Sequence, residues 1–354
     1  MTTVLCIGDL HIKVSNLSTI DKVRQEVVSV IKERRPNYVV IMGDMHDSFE
    51  KMHLQAWNAI IRFMDEVCSV DPTIQVVYVV GNHDAINNQI FLTDDHFFNA
   101  FKGLKNGNNH TESGNKNLKY SNLTVADRAI LHYLPQSDDY IGFIPYVPIG
   151  RFDEAYQILV NGRNGKCLAI FAHQEFKGAS FGGSIVSTKG DEWPVGNPYV
   201  ISGHVHEHNQ LKPNILYIGT PYQTNFGESP DKSISLITID GESISEERIK
   251  LNIPQKLIIQ ISCTEFDNLP LSDLDEVKIF IRGSKEDILS LKQTKKFKDL
   301  GKNIKVVFKP SDQASVKKNA NNYGFMQLIH NEIEKESVTV KAMFQEVVDA
   351  SNIK

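Results

Sequence analysis

The chain has 354 residues, 41% hydrophobic and 23% charged, with a formal net charge of −5. That supplies apolar material for a substantial core and one to three domains, and excludes a minimal module. The negative balance argues against nucleic-acid binding over the whole surface, but residues 285–318 carry ten lysines against four acidic residues.

In chain order, an apolar run predicts a strand over 3–8, with no signal-peptide pattern before it. Further strands are predicted at 37–42, 74–80, 128–133, 167–172 and 198–202, and helices at 20–34, 51–67 and 152–161. Such alternation predicts an α/β layered fold with helices against a central sheet. The helix over 51–67 offers Leu54, Trp57, Ile61 and Met64 as a stripe expected to pack on that sheet. Gly and Asn concentrate between 103 and 122, where a mobile loop is expected. Residues 214–219 and 233–250 read as further strands, with a hairpin turn at Asp240-Gly241.

Pro254 marks an expected boundary between a first domain, 1–253, and a small α+β domain, 254–310. The latter holds strands at 256–262, 277–282 and 303–309 and a helix at 285–299. A polar linker is expected at 311–322, followed by amphipathic helices within 323–354. The cysteines (Cys6, Cys68, Cys167, Cys263) stand singly without a CxxC, so a reducing, intracellular setting and a soluble chain are expected. No apolar stretch approaches the ~20 residues of a membrane span.

Five short signatures follow predicted strands in one order: Asp9-Leu10-His11, Gly43-Asp44, Gly81-Asn82-His83-Asp84, His173, and Gly203-His204-Val205-His206. Divalent ions of the Mn, Fe or Mg kind accept such mixed nitrogen and oxygen ligands. Asp9, His11 and His206 suit one ion, and Asn82, His173 and His204 a second, with Asp44 bridging. Two ions ~3.5–4 Å apart acidify an attacking water and clamp phosphoryl oxygens. His83 is placed to protonate a leaving oxygen, and Asp84 to hold the other nitrogen of that ring.

Taken together, the five signatures resemble the calcineurin-like metallophosphoesterase superfamily, with Asp9, His11, Asp44, Asn82, His173, His204 and His206 matching its ligands and His83 its catalytic histidine. The GDxVDRG and GNHE signatures of its protein phosphatases are absent. The Gly219-Thr220-Pro221 and Phe226-Gly227-Glu228 segments resemble the Mre11/SbcD-type nucleases. Ile12 stands where that family usually has Gly, and His46 where it usually has an aromatic residue.

The resemblance implies a layered metallophosphoesterase sandwich with a small capping domain and C-terminal helices. It also implies Mn-dependent exo- and endonuclease cleavage of DNA, with Mg or Fe as other metals, and a homodimer. A Rad50/SbcC-like ATPase would dock on the terminal helices through Phe325, Leu328, Ile329, Val340, Met343, Phe344 and Val347. Beside such a site, Lys292, Lys295, Lys296, Lys298, Lys302 and Lys305 read as contacts to the DNA backbone, since phosphate contacts need only positive charge. Two alternatives remain: a small-nucleotide phosphodiesterase or phosphatase without a partner, and an inactive binding scaffold.

Overall fold

The computed structural model describes residues 1–48, 51–102, 120–135, 137–182, 185–269, 276–301 and 303–310. Lys302, the expected linker, the terminal helices with Phe325, Leu328, Ile329, Val340, Met343, Phe344 and Val347, and most of the loop expected at 103–122 lie outside the described residues. The described residues divide into two compact units, one of 1–258 with 276–277 and one of 259–269 with 278–310.

The first unit begins with β1 (Thr2–Ile7), α1 (Leu17–Arg34), β2 (Tyr38–Ile41), α2 (Leu54–Ser69), β3 (Gln75–Val79) and β4 (Leu123–Ala126). Strands β5 (Ile130–Leu134) and β6 (Asp139–Ile144) lead through α3 (Phe152–Val160) to β7 (Cys167–Ala172), β8 (Tyr199–Ser202), β9 (Asn209–Lys212) and β10 (Ile215–Tyr217). The hairpin of β11 (Ile234–Asp240) and β12 (Ser243–Ile249) lays β11 antiparallel to β1. One six-stranded sheet is ordered β12-β11-β1-β2-β3-β4, the other β5-β6-β7-β8-β10-β9. Parallel pairing joins β1 to β2, β2 to β3 and β3 to β4 in the first, and β6 to β7 and β7 to β8 in the second.

Strand β1 is apolar at every position from Val4 to Ile7 because both of its faces are covered. Val4 and Cys6, with Val40, Val77 and Val79, pack against Phe143, Ala169, Phe171 and Ile201 of the second sheet. Leu5 and Ile7 face the other way, onto Val23 and Val27 of α1 and Ile60 and Phe63 of α2. The outer face of the second sheet, Ile144, Ile170 and Val200, packs on Phe152, Ala155 and Leu159 of α3. Two sheets therefore lie face to face between helices: the layered α/β class follows the alternation, but in place of one central sheet there is the two-sheet sandwich that the resemblance implies.

The stripe on α2 differs from expectation. Its buried face is Ala56, Ala59, Ile60, Phe63, Met64 and Val67, whereas Leu54 is 70% exposed and Trp57 and Ile61 are half-buried. Of the four residues expected to pack, Met64 alone is fully covered. Strands β4, β6 and β9 were not expected; β6 is interrupted by Gly142 within Asp-Tyr-Ile-Gly-Phe-Ile, which masks its apolar period.

The second unit carries a three-stranded sheet built from β13 (Lys256–Ser262), β14 (Glu276–Gly283) and, after α4 (Lys285–Gln293) and α5 (Lys295–Lys298), β15 (Ile304–Pro310). Phe266, Ile279, Ile281, Ile288 and Leu291 are its buried apolar residues. The single helix expected over 285–299 breaks at Thr294, whose backbone is extended and whose hydroxyl accepts from Phe297 N to cap α5. Among the described residues no helix is long and apolar enough to cross a membrane. All four cysteines are free thiols.

Candidate metal centre

Asp9 and His11 follow β1, Asp44 follows β2, Asn82 to Asp84 follow β3, His173 follows β7, and His204 and His206 follow β8. All sit beyond the carboxyl ends of parallel strands, the edge where open α/β sheets present their sites. The turns are tight. His11 (φ 43), Asp44 (φ 47) and His204 (φ 74) hold left-handed backbone, which costs a non-glycine residue about 1–3 kcal/mol. A Cβ on Gly43 (φ +95) would lie 2.6 Å from His173 Nδ1, and one on Gly81 would run into the Asp44 carboxylate. Glycine precedes Asp44 and Asn82 because the chains meet too closely there for a side chain.

Two donor groups result. In the first, Asp9, His11 and His206 converge, with His11 Nε2 3.0 Å from His206 Nε2 and 4.0 Å from Asp9 Oδ2. In the second, Asp44, His173 and His204 converge. There His173 Nε2 is 3.4 Å from Asp44 Oδ2 and 3.2 Å from His204 Nδ1, and both nitrogens are 2.9 Å from Asn82 Oδ1. Asp44 Oδ2 is also 4.0 Å from His11 Nε2, so this carboxylate stands between the groups. A third overlapping group, His11, Asp44 and His83, places His83 Nε2 3.9 Å from Asp44 Oδ2.

The hydrogen bonds outside these groups fix which nitrogens face inward. His173 Nδ1 donates to Met42 O at 2.6 Å, which turns Nε2 inward toward Asp44 and Asn82. His206 Nδ1 donates to Glu228 Oε1 at 2.9 Å, which leaves its Nε2 as an acceptor. The second group thus gathers a carboxylate, an amide oxygen and two imidazole nitrogens around one point. Acceptors gather this way around a cation, so the donor set fits a divalent metal.

The titration of these groups has the same cause. Burial alone would raise the Asp44 carboxyl, but the charge and hydrogen bond of His173, with His11 and His83, outweigh it and hold Asp44 well below the usual carboxylate range. Burial pushes the His11 imidazole down to about 4, toward the neutral form a metal accepts. Burial would lower His173 too, but the charges of Asp44 and Asp9 push it up, so a cation must displace a proton there.

Outer groups stand behind these imidazoles, although His11 Nδ1 is buried without a hydrogen bond among the described residues. Besides Met42 O and Glu228, Glu175 Oε2 lies 3.8 Å from His204 Nε2, and Asp47 Oδ1 lies 3.8 Å from His11 Nδ1. Glu228 is itself held by Thr224 N (2.9 Å), the Thr224 hydroxyl, Asn225 Nδ2 (2.8 Å) and Lys232 Nζ (3.2 Å). Burial would raise its carboxyl, but bonds from His206 and Thr224 and the charge of Lys232 bring it down to about 2. The motifs did not single out Glu175 or Asp47 and marked Glu228 only as part of a segment. Their roles are tertiary; the one signal in the sequence is that Glu175 follows His173 by two residues.

Asp84 is placed differently from the expectation that it holds His83. Its Oδ2 accepts from Asp44 N (2.9 Å), Gly81 N (2.8 Å) and Tyr78 Oη (2.5 Å), so it braces the turns that carry Asp44 and Asn82. Burial, then the charge of Asp44, push its carboxyl up to about 6. His83 Nδ1 instead donates to Asp47 O at 2.9 Å, which leaves Nε2 toward the site. His46 is buried, with Nδ1 donating to Ser48 O at 2.7 Å and its ring 5.3 Å from that of Phe97. Ile12, opposite His46 in a bridge, is fully buried. Both are packing residues beside the site.

In the second unit, Lys292, Lys295, Lys298 and Lys305 are exposed. Lys296 is half-buried and donates to Asp267 O (2.6 Å) and Leu269 O (3.0 Å), so its ammonium ties down a backbone turn.

An α/β sandwich that presents two adjacent carboxylate–imidazole groups is the framework of a metal-dependent phosphate-ester hydrolase. The chain belongs to the calcineurin-like phosphoesterase family, whose sequence pattern it matches over residues 2–208. It is 32% identical over 320 residues to a candidate phosphoesterase, 078R, of Invertebrate iridescent virus 3, covering 88% of this chain and 86% of that one. It is 35% identical over 300 residues to a candidate phosphoesterase, 244L, of Invertebrate iridescent virus 6, covering 82% and 98%. Among solved structures it is similar to GAP50, the anchor in the inner membrane complex of Plasmodium, at 13% identity and a TM-score of 0.46 over 71% of this chain and 85% of that one. The chain is thus a phosphoesterase of the calcineurin-like superfamily, with His/Asp clusters that could bind metals.

Proposed function

We propose that the chain is a DNA nuclease subunit of the Mre11/SbcD kind, acting on phosphodiesters with two divalent ions, Mn most readily. Asp9, His11 and His206 would hold one ion, Asn82, His173 and His204 the other, with Asp44 between them. The ions supply the charge that acidifies an attacking water and offsets the charge of the phosphoryl oxygens. His83 faces the site through Nε2, held from behind by Asp47 O, and serves to protonate the departing sugar oxygen. Asp84 supports it by bracing the turn.

The observation that carries the subtype is Glu228. It belongs to the Phe226-Gly227-Glu228 segment that resembles the nucleases, and its carboxylate orients His206. Exposed Lys292, Lys295, Lys298 and Lys305 supply positive charge for a phosphate backbone. A homodimer and a Rad50/SbcC-like ATPase are the partners this reading carries with it.

The test is cleavage of end-labelled duplex and single-stranded DNA with Mn, comparing the wild type with His83→Ala. Mn-dependent cleavage that falls at least ~100-fold in the variant is the expected result, the usual scale for losing a general acid. Intact DNA alongside hydrolysis of bis-p-nitrophenyl phosphate, with and without a partner ATPase, would move the function to a small phosphodiester.

A further inference from the structure

The rim of the site differs on its two sides. Beside His11 it is charged, with Lys13 Nζ 2.9 Å from Asp47 Oδ1. Beside His204, where Glu175 Oε2 lies 3.8 Å from the ring, two aromatic side chains gather as well. The rings of Tyr146 and Phe181 each lie 5.8 Å from the His204 ring, and Phe181 stands perpendicular to it at 87°.

Phe181 belongs to a ribbon that rises just after His173. Asp191 N donates to Glu175 O (2.9 Å), Lys177 N to Asp191 O (3.0 Å), Ser187 N to Ala179 O (2.8 Å) and Phe181 N to Ile185 O (3.0 Å). Its base is anchored by Phe176, Ala179 and Trp193, all fully buried. A backbone ladder on a buried base therefore sets the position of the ring. Phe181 is nevertheless 40% exposed, Ile185 65% and Val186 52%. Single exposed apolar side chains are ordinary. Phe181 and Ile185, opposite one another at the end of this braced ribbon, share a face, and with Phe181 against a site imidazole they make a surface matched to a ring attached to the phosphate.

We propose that Phe181 stacks on the nucleobase flanking the scissile phosphate on the His173–His204 side, so that the site favours unpaired nucleotides. The proposal rests on the nuclease reading and adds which part of the substrate is read. Every base has a π-face, so stacking tolerates any sequence. A base inside a duplex already has both faces covered by its neighbours. One in a single strand or at a frayed end has a face to give, and with Tyr146 behind His204 the aromatic rim continues past the imidazole.

The experiment compares two phosphodiesters with the same leaving group, thymidine 5′-(p-nitrophenyl phosphate) and its abasic deoxyribose counterpart, in wild type, Phe181→Ala and Phe181→Trp. In the wild type kcat/KM should favour the thymidine ester by about tenfold, mostly through KM, the size of one base–aromatic stack. That ratio should collapse toward one in Phe181→Ala and persist in Phe181→Trp. A wild type with no preference, or a Phe181→Ala that keeps it, overturns the proposal. The two readings fail separately. DNA cleavage without a base effect removes the stacking and leaves the nuclease; a base effect lost in Phe181→Ala with DNA left intact removes the nuclease and leaves a nucleotide-reading site.

Discussion

Glu228 shows how much a single residue outside the ligand set contributes. Its charge-assisted bond to His206 Nδ1 fixes the tautomer and raises the basicity of Nε2. Glu228→Ala should therefore weaken Mn binding by about 10–100-fold, and Glu228→Gln, which keeps an acceptor, by less. Equilibrium dialysis reads both; an unchanged affinity in Glu228→Ala would mean that His206 takes no part in holding metal. The ligand candidates were legible in the sequence because each is a short signature behind an apolar run, and five such signatures rarely align by accident. The outer partners were not legible. Asp47 and Glu175 touch the imidazoles of His11 and His204 across 36 and 29 residues of chain, and nothing local marks a carboxylate whose partner is supplied by folding. Asp84 shows the converse, since its place next to His83 suggested a contact that the turn directs elsewhere.

Among the elements, α2 separates packing from pattern. Phe63 is fully buried against the first sheet, and Leu54, on the stripe read from the sequence, is 70% exposed. Phe63→Ala should cost about 3–5 kcal/mol, and Leu54→Ala no more than about 0.5 kcal/mol, in urea-denaturation midpoints. Similar losses for both would contradict the observed face. The strands that end in site residues were legible because strands covered on both faces read as continuous apolar runs. Strand β6 was hidden by Gly142, and β9, Asn-Gln-Leu-Lys, has one apolar residue and lies at the sheet edge. The break at Thr294 was missed because Lys and Gln around it are good helix formers; the threonine side chain caps the next turn in place of continuing the first helix.

On the scale of the whole molecule, charge is segregated. A chain of net charge −5 keeps ten lysines within residues 285–318. If Lys292, Lys295 and Lys298 meet phosphates, replacing all three by Ala should lower the salt slope of duplex binding by up to about 2.7, near 0.9 for each phosphate no longer neutralised. An unchanged slope would place them off the DNA. Lys296→Ala should act differently, by loosening the turn at Asp267 and Leu269 that its ammonium holds.

The proposed chemistry depends on one centre in which Asp44 stands between two donor groups and would serve both. The most direct test counts the Mn ions bound per chain by the metal-free full-length protein, in wild type and in Asp44→Asn, by equilibrium dialysis with elemental analysis. About two tightly held ions per wild-type chain, with both weakened in Asp44→Asn, is the result this arrangement predicts. One ion or none in the wild type, or an Asp44→Asn variant that still holds two as tightly, would contradict it.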